Sequence, residues 1–190
     1  LGRQIQEQAL REIKPLCEAY GLSLAINLSS QQFQHKSVLA ELTSQLEHVQ
    51  FPCDKLYLEL TESIALTDLR LISDKLAQLR ARGVKIAIDD FGTGYSSLAY
   101  ISKLPIDIIK LDRIFTSEVT EADDSYPLLD SIMSLLRAVD KHIIIEGIET
   151  AEQKAFFVAR GCHAMQGYYF SKPCSLHALE NKLTAIEVSG

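Results

Sequence analysis

Short apolar segments recur along this chain, separated by stretches with helical periodicity and each with a polar residue at or close to its C-terminal end. The segments are Leu24–Asn27, Leu56–Leu60, Val84–Ile88, Ile106–Leu111, His142–Glu146 and Ala164–Tyr168. Between them apolar residues return every three or four positions, the spacing of a helix with one buried face. A strand followed by a helix before the next strand pairs in parallel through a right-handed crossover, with the helices covering the sheet. The alternation predicts an α/β fold on six parallel strands.

The helical segments carry their own start and stop signals. Residues 5 to 20 place Ile5, Ala9, Ile13, Leu16 and Tyr20 near one face, with Gly21 as terminator and Pro15 expected to kink or break the helix. Val38, Leu39, Leu42 and Leu46 mark the next. Thr67 is an expected N-cap for a helix burying Leu69, Ile72, Leu76 and Leu79, ended by Gly83. Asp89 to Tyr95 reads as a loop and Ser97 to Ser102 as a short helix. Pro127 suits the first turn of a helix expected to bury Leu128, Ile132, Leu135, Leu136 and Val139. Thr150 with Gln153 has capping-box form, and a last helix starts near Ser175. The acidic stretch Glu118 to Asp124 is a connection, not a domain linker, so residues 1–190 read as one domain.

Composition narrows the function classes. With 47% hydrophobic residues the chain can build a core, and a net charge of −6 argues against a broad nucleic-acid surface, which relies on basic residues. No apolar run approaches the roughly 20 residues of a membrane span, and the first residues lack a signal-peptide layout. Cys17, Cys53, Cys162 and Cys174 form no CxxC pair and are expected to be reduced and mostly buried, as in the cytoplasm. The five histidines show no metal-ligand spacing. A first residue other than Met leads us to expect a piece of a longer protein, for which a membrane anchor elsewhere stays open.

Function is written at the strand ends. Asn27, Glu59, Asp89 with Asp90, Lys110, Glu146 and Gln166 each fall at or near the C-terminal end of a strand. In a (β/α) barrel that rim holds the active site. One such residue is more often a loop cap or a salt-bridge partner, but six successive strands repeat the placement. Converging carboxylates repel unless a cation sits among them. Oxygen donors without thiolate or clustered imidazole favour Mg²⁺ or Mn²⁺, and adjacent Asp89 and Asp90 can serve two ions, an arrangement suited to in-line displacement at phosphorus. Lys110 would place positive charge beside a phosphate and Glu146 would take a proton from the attacking water; a salt bridge and a ligand-only role are their alternatives. Gly92-Thr93-Gly94 is no dinucleotide fingerprint, because Ser97 replaces the third glycine and two Asp precede it.

The stretches Asn27-Leu28-Ser29, Glu59-Leu60-Thr61-Glu62, Asp89-Asp90-Phe91-Gly92-Thr93-Gly94-Tyr95-Ser96-Ser97, Leu104-Pro105 through Lys110-Leu111-Asp112, Glu146-Gly147-Ile148-Glu149-Thr150 and Gln166-Gly167-Tyr168 run in one order over nearly the whole chain. They closely resemble the EAL family of cyclic-di-GMP phosphodiesterases. The resemblance implies a TIM-like barrel that hydrolyses c-di-GMP to linear pGpG with two Mg²⁺ or Mn²⁺ ions. It implies Asn27, Glu59, Asp89 and Asp90 as metal ligands, Glu146 as the general base or a residue orienting the attacking water, and Lys110 as the lysine beside the metal-bound water. Gln166 and Glu149 resemble supporting residues, and Glu62 the acid that anchors the DDFG loop. A homodimer through helices near that loop, and an upstream sensor or GGDEF domain, are also implied.

The Glu-Ala-Leu signature itself is absent, with the metal-binding Glu it supplies. An eight-unit barrel takes about 250 residues, roughly 31 per unit, so 190 residues accommodate about six. We therefore expect an incomplete barrel, an N-terminally truncated domain weakly active or inactive alone. A non-catalytic c-di-GMP receptor, or a protein-interaction module on the same fold, is the alternative.

Overall fold

A computed structural model describes residues 2–66, 69–93, 102–117, 119 and 126–189. The strands are β1 (Leu24–Asn27), β2 (Leu56–Thr61), β3 (Lys85–Phe91), β4 (Ile108–Leu111), β5 (His142–Ile145) and β6 (Ala164–Met165). The helices are α1 (Gly2–Tyr20), α2 (Ser30–Gln34), α3 (Val38–Val49), α4 (Leu69–Ala81), α5 (Arg113–Thr116), α6 (Pro127–Arg137), α7 (Ala151–Ala159) and α8 (Leu176–Ser189). All neighbouring strands are parallel and the sheet order is the chain order, β1 to β6. Among the described residues β1 and β6 do not pair, so the barrel is incomplete. Both edge strands are short, which limits exposed ladder. At the open side α8 reaches α1, where the Tyr20 and Thr184 hydroxyls lie 3.2 Å apart.

The register sorts side chains into two faces. Leu58, Ile86, Ile88, Ile109, Leu111 and Ile145 belong to the helix-covered core, together with Leu46, Leu76, Met133, Leu136 and Phe157 from the helices. The alternate positions, Glu59 beside Ala87, Asp89 beside Thr61 and Lys110 beside Ile144, line the opposite face. No helix among the described residues is long and apolar enough to cross a membrane.

Several expectations are corrected. Pro15 lies inside α1 without ending it. Leu10, Leu16 and Cys17 bury on either side of it, so packing holds the helix together across the lost hydrogen bond. Helix α2 was not expected, although Ser29 and Gln32 form a reciprocal capping box that the sequence displays. Strand β3 runs on to Phe91, where a loop was predicted. Strand β6 is two residues long instead of five. On α6 the buried residues are Leu129, Met133 and Leu136, whereas Leu128 and Leu135 are 63% and 56% exposed. Of the expected set Leu136 is buried and Ile132 and Val139 pack against the core, so the buried stripe is turned only far enough to leave Leu128 and Leu135 outside. The Thr67 cap, the helix expected at 97–102 and the acidic connection at 118–124 lie wholly or largely outside the described residues. Cys17 and Cys162 are buried, Cys53 is partly so, and Cys174 is exposed; all four are free.

The rotation of α6 gives a direct test in denaturant. Leu136→Ala should lower the unfolding free energy by about 2–5 kcal/mol through a cavity, while Leu135→Ala should change it by less than about 0.5 kcal/mol.

Candidate functional site

The polar residues of the inner face meet at the C-terminal ends of β2 to β5. Lys110 on β4 is 3% exposed, and its Nζ lies 2.8 Å from Glu59 Oε1, 2.8 Å from Asp89 Oδ1 and 2.8 Å from Glu146 Oε1. These three acids come from β2, from β3 and from the residue just after β5. Adjacent strands are spaced about 4.8 Å apart, so a flat sheet would hold β2 and β5 some 14 Å from each other. One ammonium reaches both because the inner face is concave.

Asp90 joins the cluster through a backbone irregularity. Consecutive strand residues point to opposite faces, which would send Asp90 into the helix layer. Instead the β3–β4 register shifts between Ile88 and Phe91, and Asp90 takes φ 55°, a left-handed conformation that Asp tolerates better than most residues. Carboxylate oxygens of Asp89, Asp90 and Glu146 consequently lie within 4.8 Å of one another. Gly92 follows with φ 99°, and a Cβ there would overlap the Phe115 ring. Its N–H donates to Glu62 Oε2 at 2.9 Å, so the buried Glu62 holds the backbone just beyond the paired Asp residues.

The remaining predicted residues stand further out. Asn27 is exposed at the end of β1, directly opposite Glu59 in the ladder. Gln166 and Glu149 are exposed as well. Gln166 uses its backbone to join the loop after β5, accepting from the Ile148 N–H at 3.1 Å and donating to the Ile145 carbonyl at 2.8 Å. Glu149 lines a neighbouring cavity with Asp112, Arg113 and Gly147. Gly94 to Ser97 of the glycine-rich motif lie outside the described residues. Behind the site, Gln153, partly legible as a capping-box residue, and Thr116, which carried no sequence signal, join the segments that follow β4 and β5.

Charge in this pocket is unbalanced. Burial, and then repulsion from Asp89 and Asp112, push the Asp90 carboxyl above its ordinary range. Burial also raises Glu146, aided by Asp89 and Glu59 and opposed by Lys110. Lys110 is held well above the ordinary lysine range by its three carboxylate partners, which outweigh its burial. Four acids share one lysine, and all the donors are oxygen. That set fits a hard divalent cation, whose charge would relieve the repulsion that raises Asp90 and Glu146.

Comparison with known proteins follows the same lines. The family model described as "EAL domain" matches residues 1–173. Signaling protein YkoW of Bacillus subtilis is 34% identical over 174 residues, covering 91% of this chain and 22% of its own length. The bifunctional diguanylate cyclase/cyclic di-GMP phosphodiesterase MucR of Pseudomonas aeruginosa is 35% identical over 175 residues, covering 91% of this chain and 26% of its own. The chain thus spans about a quarter of the length of these relatives. Among solved structures, a c-di-GMP complex of the PaMucR phosphodiesterase superposes with TM-score 0.85 at 34% identity, over 94% of this chain and 73% of that one. The EAL domain of Mycobacterium smegmatis DcpA gives 0.88 at 30% identity, over 97% and 84%. A manganese and cy-diGMP complex of Klebsiella pneumoniae BlrP1 gives 0.79 at 28% identity, over 91% and 44%.

Removing the central cation should expose the imbalance. Lys110→Met is expected to cost about 3 kcal/mol in urea unfolding with chelator present, the scale for breaking a buried pair. Mg²⁺ or Mn²⁺ should restore part of the loss. The pH sign also follows. The raised Asp90 and Glu146 carboxyls contribute stability below the ordinary carboxylate range, and lose it as pH rises through their native values. The deficit of Lys110→Met should therefore grow from acid towards neutral pH.

Proposed function

This chain belongs to the EAL-domain family, and from that premise we propose that it is a c-di-GMP phosphodiesterase domain that opens the cyclic dinucleotide to linear pGpG. The observation that carries the proposal is the convergence of Glu59, Asp89 and Glu146 on Lys110, with Asp90 turned in beside them. Asn27, Glu59, Asp89 and Asp90 are the residues that would hold two Mg²⁺ or Mn²⁺ ions. When bound, such ions supply Lewis acidity at the phosphodiester and lower the pKa of water. The manganese and cy-diGMP complex of the BlrP1 relative supports a divalent metal at this site.

The chain's own residues do the rest. Glu146, raised by burial, accepts the proton of the attacking water, since a base pulled towards neutrality is better matched to that task than an ordinary carboxylate. Lys110 stays protonated throughout, orienting Glu59, Asp89 and Glu146 and placing fixed positive charge where negative charge develops on phosphate oxygens. Glu62 holds the Gly92 backbone, so the bulge that aims Asp90 keeps its shape. Gln166 and Glu149 support the exit of β5 around Glu146. A homodimer through helices near the DDFG motif and an adjoining sensor or GGDEF domain belong to the same reading; the bifunctional name of MucR supports the latter.

The test is chromatographic. With c-di-GMP and Mn²⁺ the chain should release pGpG slowly, because the concave face is not closed by a full ring of strands, and EDTA should stop it. Glu146→Gln should lower turnover by about 100-fold or more while c-di-GMP binding persists. In a longer chain that carries the full ring of strands, binding with no metal-dependent product would instead assign a receptor.

A further inference from the structure

A side chain with no role in the cluster ties together the two backbone segments that carry Lys110 and Glu146. Gln153, in the first turn of α7, is 8% exposed. Its Oε1 accepts from the N–H groups of Glu149 at 2.7 Å and Thr150 at 3.2 Å. These contacts belong to the cap of α7. Its Nε2 does something a cap does not require: it leaves its own helix and donates to the Thr116 carbonyl on α5 at 3.0 Å. Helix α5 begins three residues after Lys110, and Glu149 lies three residues after Glu146.

Thr116 closes the same junction from the other side. It is fully buried, and its hydroxyl lies 2.9 Å from the Arg113 carbonyl and 3.3 Å from the Gly147 carbonyl. Gly147 has φ 71°, and a Cβ there would overlap Arg113 and crowd the Thr116 hydroxyl. The backbone immediately after Glu146 is therefore pressed against α5. Upstream, the Glu146 N–H donates to the Leu111 carbonyl at 3.0 Å. The exits of β4 and β5 are clamped at both ends of the Glu146–Glu149 segment, and Gln153 forms the outer clamp.

We propose that Gln153 is a positioning residue whose side-chain amide fixes the exit of β4 against the exit of β5 and thereby sets the Lys110–Glu146 contact. This rests on the reading of Lys110 and Glu146 as the working pair of the site. Displacement of such a pair by about 1 Å is enough to cost on the order of 100-fold in rate.

A capping role and a positioning role separate cleanly at this residue. Glu serves a capping box as well as Gln does. Gln153→Glu keeps the acceptor for Glu149 and Thr150, loses the donor to Thr116, and sets a carboxylate oxygen against a carbonyl oxygen. The readout is the ¹⁵N signal of the Lys110 ammonium, slow to exchange because it is buried among three carboxylates, and assigned by its loss in Lys110→Arg. In Gln153→Glu that signal should shift and its exchange should accelerate by about tenfold or more, with the circular dichroism spectrum unchanged. Gln153→Met, which removes the amide, should move it in the same direction where Thr150→Ala, which removes only the cap hydroxyl, does not, and this pair carries the test if Gln153→Glu does not fold. An unchanged Lys110 signal in a folded Gln153 variant overturns the proposal. Hydrolysis reports separately: kcat should fall by about tenfold or more with KM within about twofold. Absence of turnover in the wild type would leave the ammonium signal alone to decide the role of Gln153.

Discussion

The ammonium of Lys110 is the contact on which the polar face depends. Three carboxylates from three strands approach it at hydrogen-bonding distance, where charge-assisted bonds are strongest. Like charges about 4 Å apart repel by about 4 kcal/mol at an effective dielectric near 20, so the acids could not share this concavity without an internal cation. Strand β4 lies between β3 and β5, which lets one side chain reach both neighbours directly and Glu59 across β3. The same arrangement explains why Asp90, which lies outside the Lys110 hydrogen bonds, is pushed upward together with Glu146.

Two devices that are not themselves charged keep this centre in shape. One is the register shift in β3, without which Asp90 would face the helix layer and the inner face would lose a carboxylate. The other is the junction of α5 with the start of α7, where Gln153, Thr116 and Gly147 hold two strand exits together. Both act on the backbone. The carboxylates and the ammonium are long, flexible groups, and their geometry is only as fixed as the chain that carries them.

Much of this was legible in the sequence because it depends on period and position. The six strands, their parallel pairing and the helices between them follow from alternation, and five of the cluster residues were visible as polar groups at strand ends. What the sequence hid has physical causes. The β3 bulge places Asp90 in a conformation that mimics a loop, so the pair of Asp residues reads as loop sequence even though strand pairing continues to Phe91. Helix α6 carries leucines on two stripes, and only the packing partners decide that Leu136 is inside and Leu135 outside. Thr116 is an unremarkable Thr in a one-turn helix, and its contacts come wholly from tertiary structure. The concavity that lets Glu59 and Glu146 share one partner is a property of the sheet as a whole.

The sheet order has one further consequence. Because among the described residues every strand pairs only with its neighbours in chain order, cohesion is passed from unit to unit as in a stack of repeats, with no pairing of the first strand to the last that must form before the rest can hold. An arc of such units does not need to close on itself to persist. It unravels, if at all, from its ends, and the most polar and costly part of the molecule lies on β2 to β5, where each strand is flanked on both sides.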